Sequence, residues 1–313
     1  MTPLGFLYKQ PAREGLSPFK VYTAGASFGA TRGNDMLSLG WQGAYLYSNL
    51  KFNNNKGKAI MHGIHLGPVA RFGSDRLFIN ALVDVSKSLY SATRRIKHEE
   101  TTGFSVDEKL KSKNGSWNVL AGLSVGSKIY LSREHNLALV PTASLNWLNT
   151  WEKRDFEEKA HTKEAPTPKK GKATKKAAKS QEKSLADVFA AKVTPGFRSY
   201  LNPKVAVKLI KVFDLGTCSV APSAHAAWVG YMPLKKGTYA VQQVGLTYLD
   251  KANTPTYNYQ TFTGMVNQLA LGGGLKVATN GNFTAALDYE SQIGIGKQKP
   301  IMHAGVVKIN WKW

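Results

Sequence analysis

The chain is 313 residues long, carries 42 Lys and Arg against 20 Asp and Glu for a net charge of +22, and contains one cysteine, Cys218. A lone cysteine excludes an internal disulfide framework, and no run approaches the ~18 consecutive apolar residues of a membrane helix, which excludes a helical membrane protein. A β-barrel hides in such averages, because half of every strand faces water, and 29 Gly with 13 Tyr supply the small and aromatic positions of a barrel wall.

Met1 to Gln10 has no basic n-region, and Pro3, Gly5 and Lys9 interrupt its apolar stretch, so it does not read as a secretory signal peptide. Leu4 to Lys9 reads as the second half of a strand, and the chain is expected to be the C-terminal piece of a larger precursor. From Met36 to Ser48, Leu37, Leu39, Trp41, Gly43, Tyr45 and Tyr47 share one face, and Ser38, Gly40, Gln42, Ala44 and Ser48 share the other. His62 and His65 stand three apart on a strand, hence on opposite faces, and do not share a metal.

Between Leu77 and Ser86 the apolar face is Leu77, Ile79, Ala81, Val83 and Val85, opposed by Asn80, Asp84 and Ser86. Trp117, Val119, Ala121, Leu123 and Val125 face away from Asn118, Gly122, Ser124, Gly126 and Lys128, and Leu137, Leu139, Pro141, Ala143, Leu145 and Trp147 repeat the pattern. Near the end, Phe283, Ala285, Leu287 and Tyr289 oppose Thr284, Asp288 and Glu290. In the last strand Val307, Ile309, Trp311 and Trp313 oppose Lys308, Asn310 and Lys312. These runs are about 10 residues or longer, close to the 9–11 that cross a bilayer at a tilt, with aromatics near their ends where interfacial girdles belong. The fold class is therefore all-β: a transmembrane antiparallel β-barrel of about 12 strands filling residues 1–313.

Short polar connections fall at Thr31–Asp35, Gly73–Arg76, Ser132–Asn136 and Thr279–Asn282. They alternate with long ones at Arg94–Gly115, Lys153–Lys183 and Met232–Gln260. With the C-terminus at the periplasmic rim, the long connections lie outside the cell. Residues 153–185 form the most basic of them: Lys153 to Lys183 holds eleven Lys or Arg against five Asp or Glu, almost without apolar residues, and is expected to be disordered. Its lysines could meet phosphates. No aromatic stacking platform or reading helix accompanies them, so the reading is a solvated external loop rather than a nucleic-acid site.

Asp84, Lys128, Asp288, Glu290, Lys308 and Lys312 fall on the polar faces and are expected to line the lumen as paired, hydrated charges. No nucleophile, base and orienting acid stand in a recognisable arrangement. The chain is read as a non-enzyme without metal or cofactor.

An ordered series of stretches runs along the chain: Gly67–Arg71 before the strand Phe78–Val85 and then Tyr90–Arg95; Pro141–Trp147; Pro222–Trp228; Phe262-Thr263-Gly264 leading into Leu271-Gly272-Gly273-Gly274-Leu275; Leu287-Asp288-Tyr289; and the aromatic terminus. The series resembles the autotransporter translocator domain of type V secretion, including the barrels of chlamydial-type polymorphic outer membrane proteins. The chain departs from the family pattern in ending on Trp313 where Phe is usual, and in having no pore helix before Leu4. The resemblance implies a twelve-stranded barrel in the bacterial outer membrane that translocates and anchors an N-terminal passenger absent from this chain. The partners it implies are outer-membrane lipid and lipopolysaccharide, the barrel assembly machinery, and the covalently linked passenger. Val307, Ile309, Trp311 and Trp313 would form the membrane-insertion signal, through strand addition to an assembly factor. The alternative is a porin-like diffusion channel whose basic lumen favours anions.

Overall fold

A segment with one apolar and one polar face cannot hide the apolar face by itself. In lipid, an extended chain must also pair every backbone N–H and C=O, which an open sheet edge leaves unmet. The computed structural model resolves both demands with a ring of strands. It describes residues 2–11, 18–34, 36–53, 57–74, 76–99, 105–152, 156–157, 159–160, 191–194, 196–235, 238–243, 256–260, 265–279, 283–296 and 299–311.

Twelve antiparallel strands make the wall: β1 (Thr2–Gln10), β2 (Phe19–Gly33), β3 (Leu37–Phe52), β4 (Gly57–Gly73), β5 (Leu77–Glu99), β6 (Ser105–Ser127), β7 (Leu137–Glu152), β8 (Arg198–Lys211), β9 (Cys218–Lys235), β10 (Val266–Thr279), β11 (Phe283–Ile295) and β12 (Ile301–Trp311). Each pairs with its neighbour in sequence, and β1 pairs with β12 to close the barrel, from Leu4 opposite Val306 to Lys9 opposite Ile301. Twelve strands spaced ~4.8 Å apart and tilted by ~40° give a backbone diameter of about 24 Å. The ends of the barrel differ. One carries tight connections, where Asn136 and Gly216 take the positive φ angles (49° and 80°) that a sharp reversal demands. The other carries the long connections.

The faces follow the sequence period. Ile64, Leu123, Leu145, Leu271 and Leu287 stand exposed on the outside, with Phe28, Trp41, Phe72, Phe213 and Trp311 toward the short-turn end and Tyr22, Tyr47, Trp117, Trp151 and Trp228 toward the long-loop end. The buried apolar residues among those described are few and mostly small (Ala138, Ala227, Ala270, Val229, Val266 and Leu110), whereas twelve polar ones are buried, Asp84, Ser86, Ser88 and Gln268 among them. A water-soluble sheet protein would invert this distribution. The greasy surface is the outer one, as a lipid-facing wall requires.

Three expected connections contain strand. The connection expected over Arg94–Gly115 is mostly strand: β5 and β6 continue as a paired ribbon to Glu99 opposite Ser105. Past Leu89 and Trp117 the outer face reads Ser91, Thr93 and Arg95 opposite Lys113, Lys111 and Lys109, so hydrophobic alternation stops, but hairpin hydrogen bonding does not need it. Within the expected loop Lys153–Lys183, Lys159–Ala160 pairs with Leu110–Lys111 on that ribbon. Phe156–Glu157 joins Ala191–Thr194, Thr238–Gln243 and Thr256–Gln260 in a small four-stranded antiparallel sheet, placing strand also inside the expected connection Met232–Gln260. The rest of the loop 153–185 for which disorder is expected, residues 153–155, 158 and 161–185, lies outside the described residues.

The wall parity makes a measurable difference between residues on its two faces. Val83→Lys puts a charge on the lipid face and is expected to cost roughly 2–4 kcal/mol, whereas Ser144→Lys points into the lumen and should be nearly silent. Urea unfolding of the barrel reconstituted in bilayers, followed by loss of its heat-modifiable mobility, measures both.

Candidate functional site in the barrel interior

A side chain can reach past an intervening strand only on the concave face of the wall. Contacts between non-adjacent strands therefore define the lumen. Lys204 on β8 donates from Nζ to Glu290 Oε2 on β11 at 2.8 Å, skipping β9 and β10 and spanning three of the twelve strand steps. His225 on β9 places Nε2 at 2.8 Å from the same oxygen, and Gln292 donates to Glu290 Oε1 at 2.7 Å. With the carboxylate accepting, Nε2 of His225 is the protonated nitrogen of the pair. Two positions nearer the short-turn end, Asp288 receives Lys308 at 3.0 Å and lies 3.7 Å from Lys208.

The strand between these partners explains how they meet. In register, His225 faces Gly272, which faces Glu290, and Ser223 faces Gly274, which faces Asp288. A Cβ added at Gly272 would fall 2.7 Å from His225 Nε2 and collide with the Tyr289 carbonyl, and one at Gly274 would collide with the Asp288 carboxylate. The absent side chains are the space through which β8 and β9 reach β11. Just beyond, Ala227 and Ala270 with Val229 form the small buried apolar patch that Ala206 packs against.

Two further groups line the remaining wall. Asp84, buried on β5, accepts His65 Nδ1 of β4 at 3.0 Å. Farther toward the long-loop end, Tyr90 donates to Glu152 Oε2 at 2.9 Å across β6, Asn114 donates to the Tyr90 hydroxyl at 2.9 Å, and Arg198 on β8 pairs with Glu152 Oε1. Glu290 and Glu152 each take two or more hydrogen bonds, and Asp84 and Asp288 each take one from a cationic or imidazole partner, which is what lets ionised groups persist in a confined interior.

Of the residues singled out from sequence, Asp84, Asp288, Glu290 and Lys308 take part in these interior pairs. Lys128 sits past the end of β6 at the short-turn rim, its ammonium 4.8 Å from the Tyr130 ring centroid. Lys312 and Trp313 lie outside the described residues. Val307, Ile309 and Trp311 project outward and pair with Leu287, Ala285 and Phe283 of β11; the β1 register reaches only to Val306, so this stretch has no β1 partner among the described residues. His62 and His65 do lie on opposite faces: His62 meets the Tyr45 hydroxyl outside at 2.7 Å, and His65 meets Asp84 inside. Lys204, Lys208, His225, Glu152 and Arg198 were not singled out. The alternation Lys204, Ala206, Lys208 against Val205, Val207, Leu209 was available to reveal the first two.

A family model described as the autotransporter beta-domain matches residues 2–164. The chain belongs to the autotransporter β-domain family. Solved translocator barrels share its fold at low identity. The translocator domain of autotransporter NalP from Neisseria meningitidis superposes with a TM-score of 0.66 at 13% identity, covering 100% of this chain and 87% of that one. The transport unit of AIDA-I from Escherichia coli gives 0.59 at 12%, covering 100% and 89%, and the β domain of the Bordetella autotransporter BrkA gives 0.57 at 14%, covering 99% and 98%. No curated protein matches the sequence. The sequence expectation of a twelve-stranded autotransporter barrel is thereby met, although Phe262-Thr263-Gly264, one of its local marks, lies outside the described residues.

In this autotransporter β-domain the interior charges bond chiefly with one another, bracing the wall across its lumen. Gly272→Ala is expected to destabilise the barrel by about 1–3 kcal/mol through overpacking against His225 and the Tyr289 carbonyl. Gly305→Ala, at a position with open space around the missing Cβ, should change little. Comparing the thermal midpoints of the two variants, read by heat-modifiable mobility, tests whether the gap at Gly272 is required.

Proposed function

We propose that this autotransporter β-domain is the outer-membrane translocator and anchor of a passenger linked to its N-terminus. Membership of the family carries the reading, and a closed wall with a polar interior supports it: a lumen lined by Asp84, Glu152, Asp288 and Glu290 and their cationic partners stays wetted, so an extended polypeptide can cross without surrendering its backbone hydration. Interior charges already paired to one another offer a passing chain no fixed, strong anchor. NalP contributes a translocator domain and AIDA-I a transport unit, both barrels of this fold, which supports the same reading. The short-turn end is then periplasmic and the long-loop end external.

The test supplies what the reading requires. A signal peptide followed by an unstructured, epitope-tagged segment is fused upstream of Thr2 and expressed in a Gram-negative host. The epitope is expected to be reached by antibody on intact cells. A folded, heat-modifiable barrel whose epitope is detected only after the outer membrane is permeabilised would overturn the proposal.

We assign insertion into that membrane to the terminal strand, whose outward face is Val307, Ile309 and Trp311. Strand addition to an assembly factor needs that alternating face intact. The double substitution Val307→Asp with Trp311→Asp should abolish recovery of heat-modifiable protein from the outer-membrane fraction, while Lys308→Gln on the lumenal side of the same strand should leave recovery near wild type.

A further inference from the structure

The strand register arranges the outward side chains of β1 to β4 in horizontal rows. One row reads Leu7, Tyr22, Asn49, Ile60, and the row nearer the short-turn end reads Gly5, Ala24, Tyr47, His62. The row one outward position toward the long-loop end reads Lys9, Lys20, Lys51, Lys58, each directly opposite the next. All four are exposed, and among the described residues none makes a hydrogen bond or ion pair. Like charges placed directly opposite on paired strands destabilise a sheet. Four in succession make a feature that calls for a counter-anion, and wall strands hold them in place where a loop would not.

Their height narrows the choice of anion. The lysines stand one row beyond Tyr22 and two beyond Tyr47 of the aromatic girdle, at the level of lipid headgroups, where an ammonium on a long apolar stem can snorkel to the interface. Below them, over the seam between β1 and β12, the small residues Gly5, Ala24 and Gly305 leave an outer groove of about 630 Å³, edged by Tyr22, Tyr47 and Tyr289. A basic row above an apolar groove on a lipid-facing wall matches a molecule with phosphate at its head and acyl chain below.

We propose that Lys9, Lys20, Lys51 and Lys58 bind the phosphates of an anionic outer-leaflet glycolipid, with one of its acyl chains in the seam groove. The assignment to the outer leaflet rests on the orientation given under the proposed function. Each lysine contributes through its charge near the surface, so each one neutralised should weaken binding roughly fivefold.

The experiment uses the folded barrel in phosphatidylcholine vesicles with or without diphosphoryl lipid A, reading lipid A retained after repurification and the shift in thermal midpoint. Wild type should retain lipid A and melt higher in its presence, and the variant K9Q/K20Q/K51Q/K58Q should lose both effects. The variant R32Q/R76Q/R133Q, altered at the short-turn end, should keep them. Inorganic phosphate alone and fully dephosphorylated lipid A should produce neither. Equal retention by the quadruple variant, equal binding of the dephosphorylated lipid, or a matching shift with inorganic phosphate would each overturn the proposal. If the quadruple variant does not fold, Lys20→Gln and Lys51→Gln are measured singly against the same criteria. Display of the fused epitope is read separately on intact cells, so loss of lipid binding with display retained refutes this site and leaves the translocator reading standing.

Discussion

Closure is the constraint on which the structure depends. Within lipid an unpaired strand edge exposes N–H and C=O groups at a cost of several kcal/mol each, and only a ring removes the edges. Strands β2 to β11 satisfy one another through long ladders; β2 and β3, for example, run in register from Phe19 opposite Phe52 to Gly33 opposite Ser38. The ring nevertheless depends on its briefest ladder, the pairing of Leu4–Lys9 with Ile301–Val306. Tyr22 and the lysine row that begins at Lys9 and Lys20 flank this same seam, so among the described residues the briefest ladder of the wall lies beside groups suited to the lipid interface.

The interior obeys a second constraint, that confined charge must be matched. Glycine is the means. Gly272 and Gly274 occupy the inward face of β10 at the two levels where Glu290 and Asp288 project from β11. Their missing side chains bring His225 and Lys204 within hydrogen-bonding distance of Glu290. The net charge of +22 is not spread evenly: Lys204, Lys208 and Lys308 in the lumen are neutralised locally, while those on the outward row of β1 to β4 face the lipid interface.

Much of the wall was legible in the sequence because a barrel writes its geometry at a period of two. Leu77, Ile79, Val83 and Val85, and again Val307, Ile309 and Trp311, appear outside as their alternation requires, and Asp84, Asp288 and Glu290 appear inside. Three things were not legible. The extension of β5 and β6 to Glu99 and Ser105 leaves no hydrophobic trace, since a ribbon in water needs none. The partners of Glu290 lie at Lys204 and His225, a separation that only the strand register supplies. The lysine row likewise emerges only when Lys9, Lys20, Lys51 and Lys58, spaced irregularly along the chain, are brought side by side by three hairpins.

The height of the wall is unequal. β5 and β6 each run 23 residues, whereas β11 and β12, across the barrel, run 13 and 11. The long-loop mouth is in consequence cut on a slant, like the lip of a jug: on the tall side β5 and β6 continue as a paired ribbon to Glu99 opposite Ser105, while on the low side β11 stops at Ile295 and β12 begins at Ile301. For the translocator proposed above, such a lip would offer β-sheet geometry on one side of the exit only, giving it a sideways direction with backbone alone.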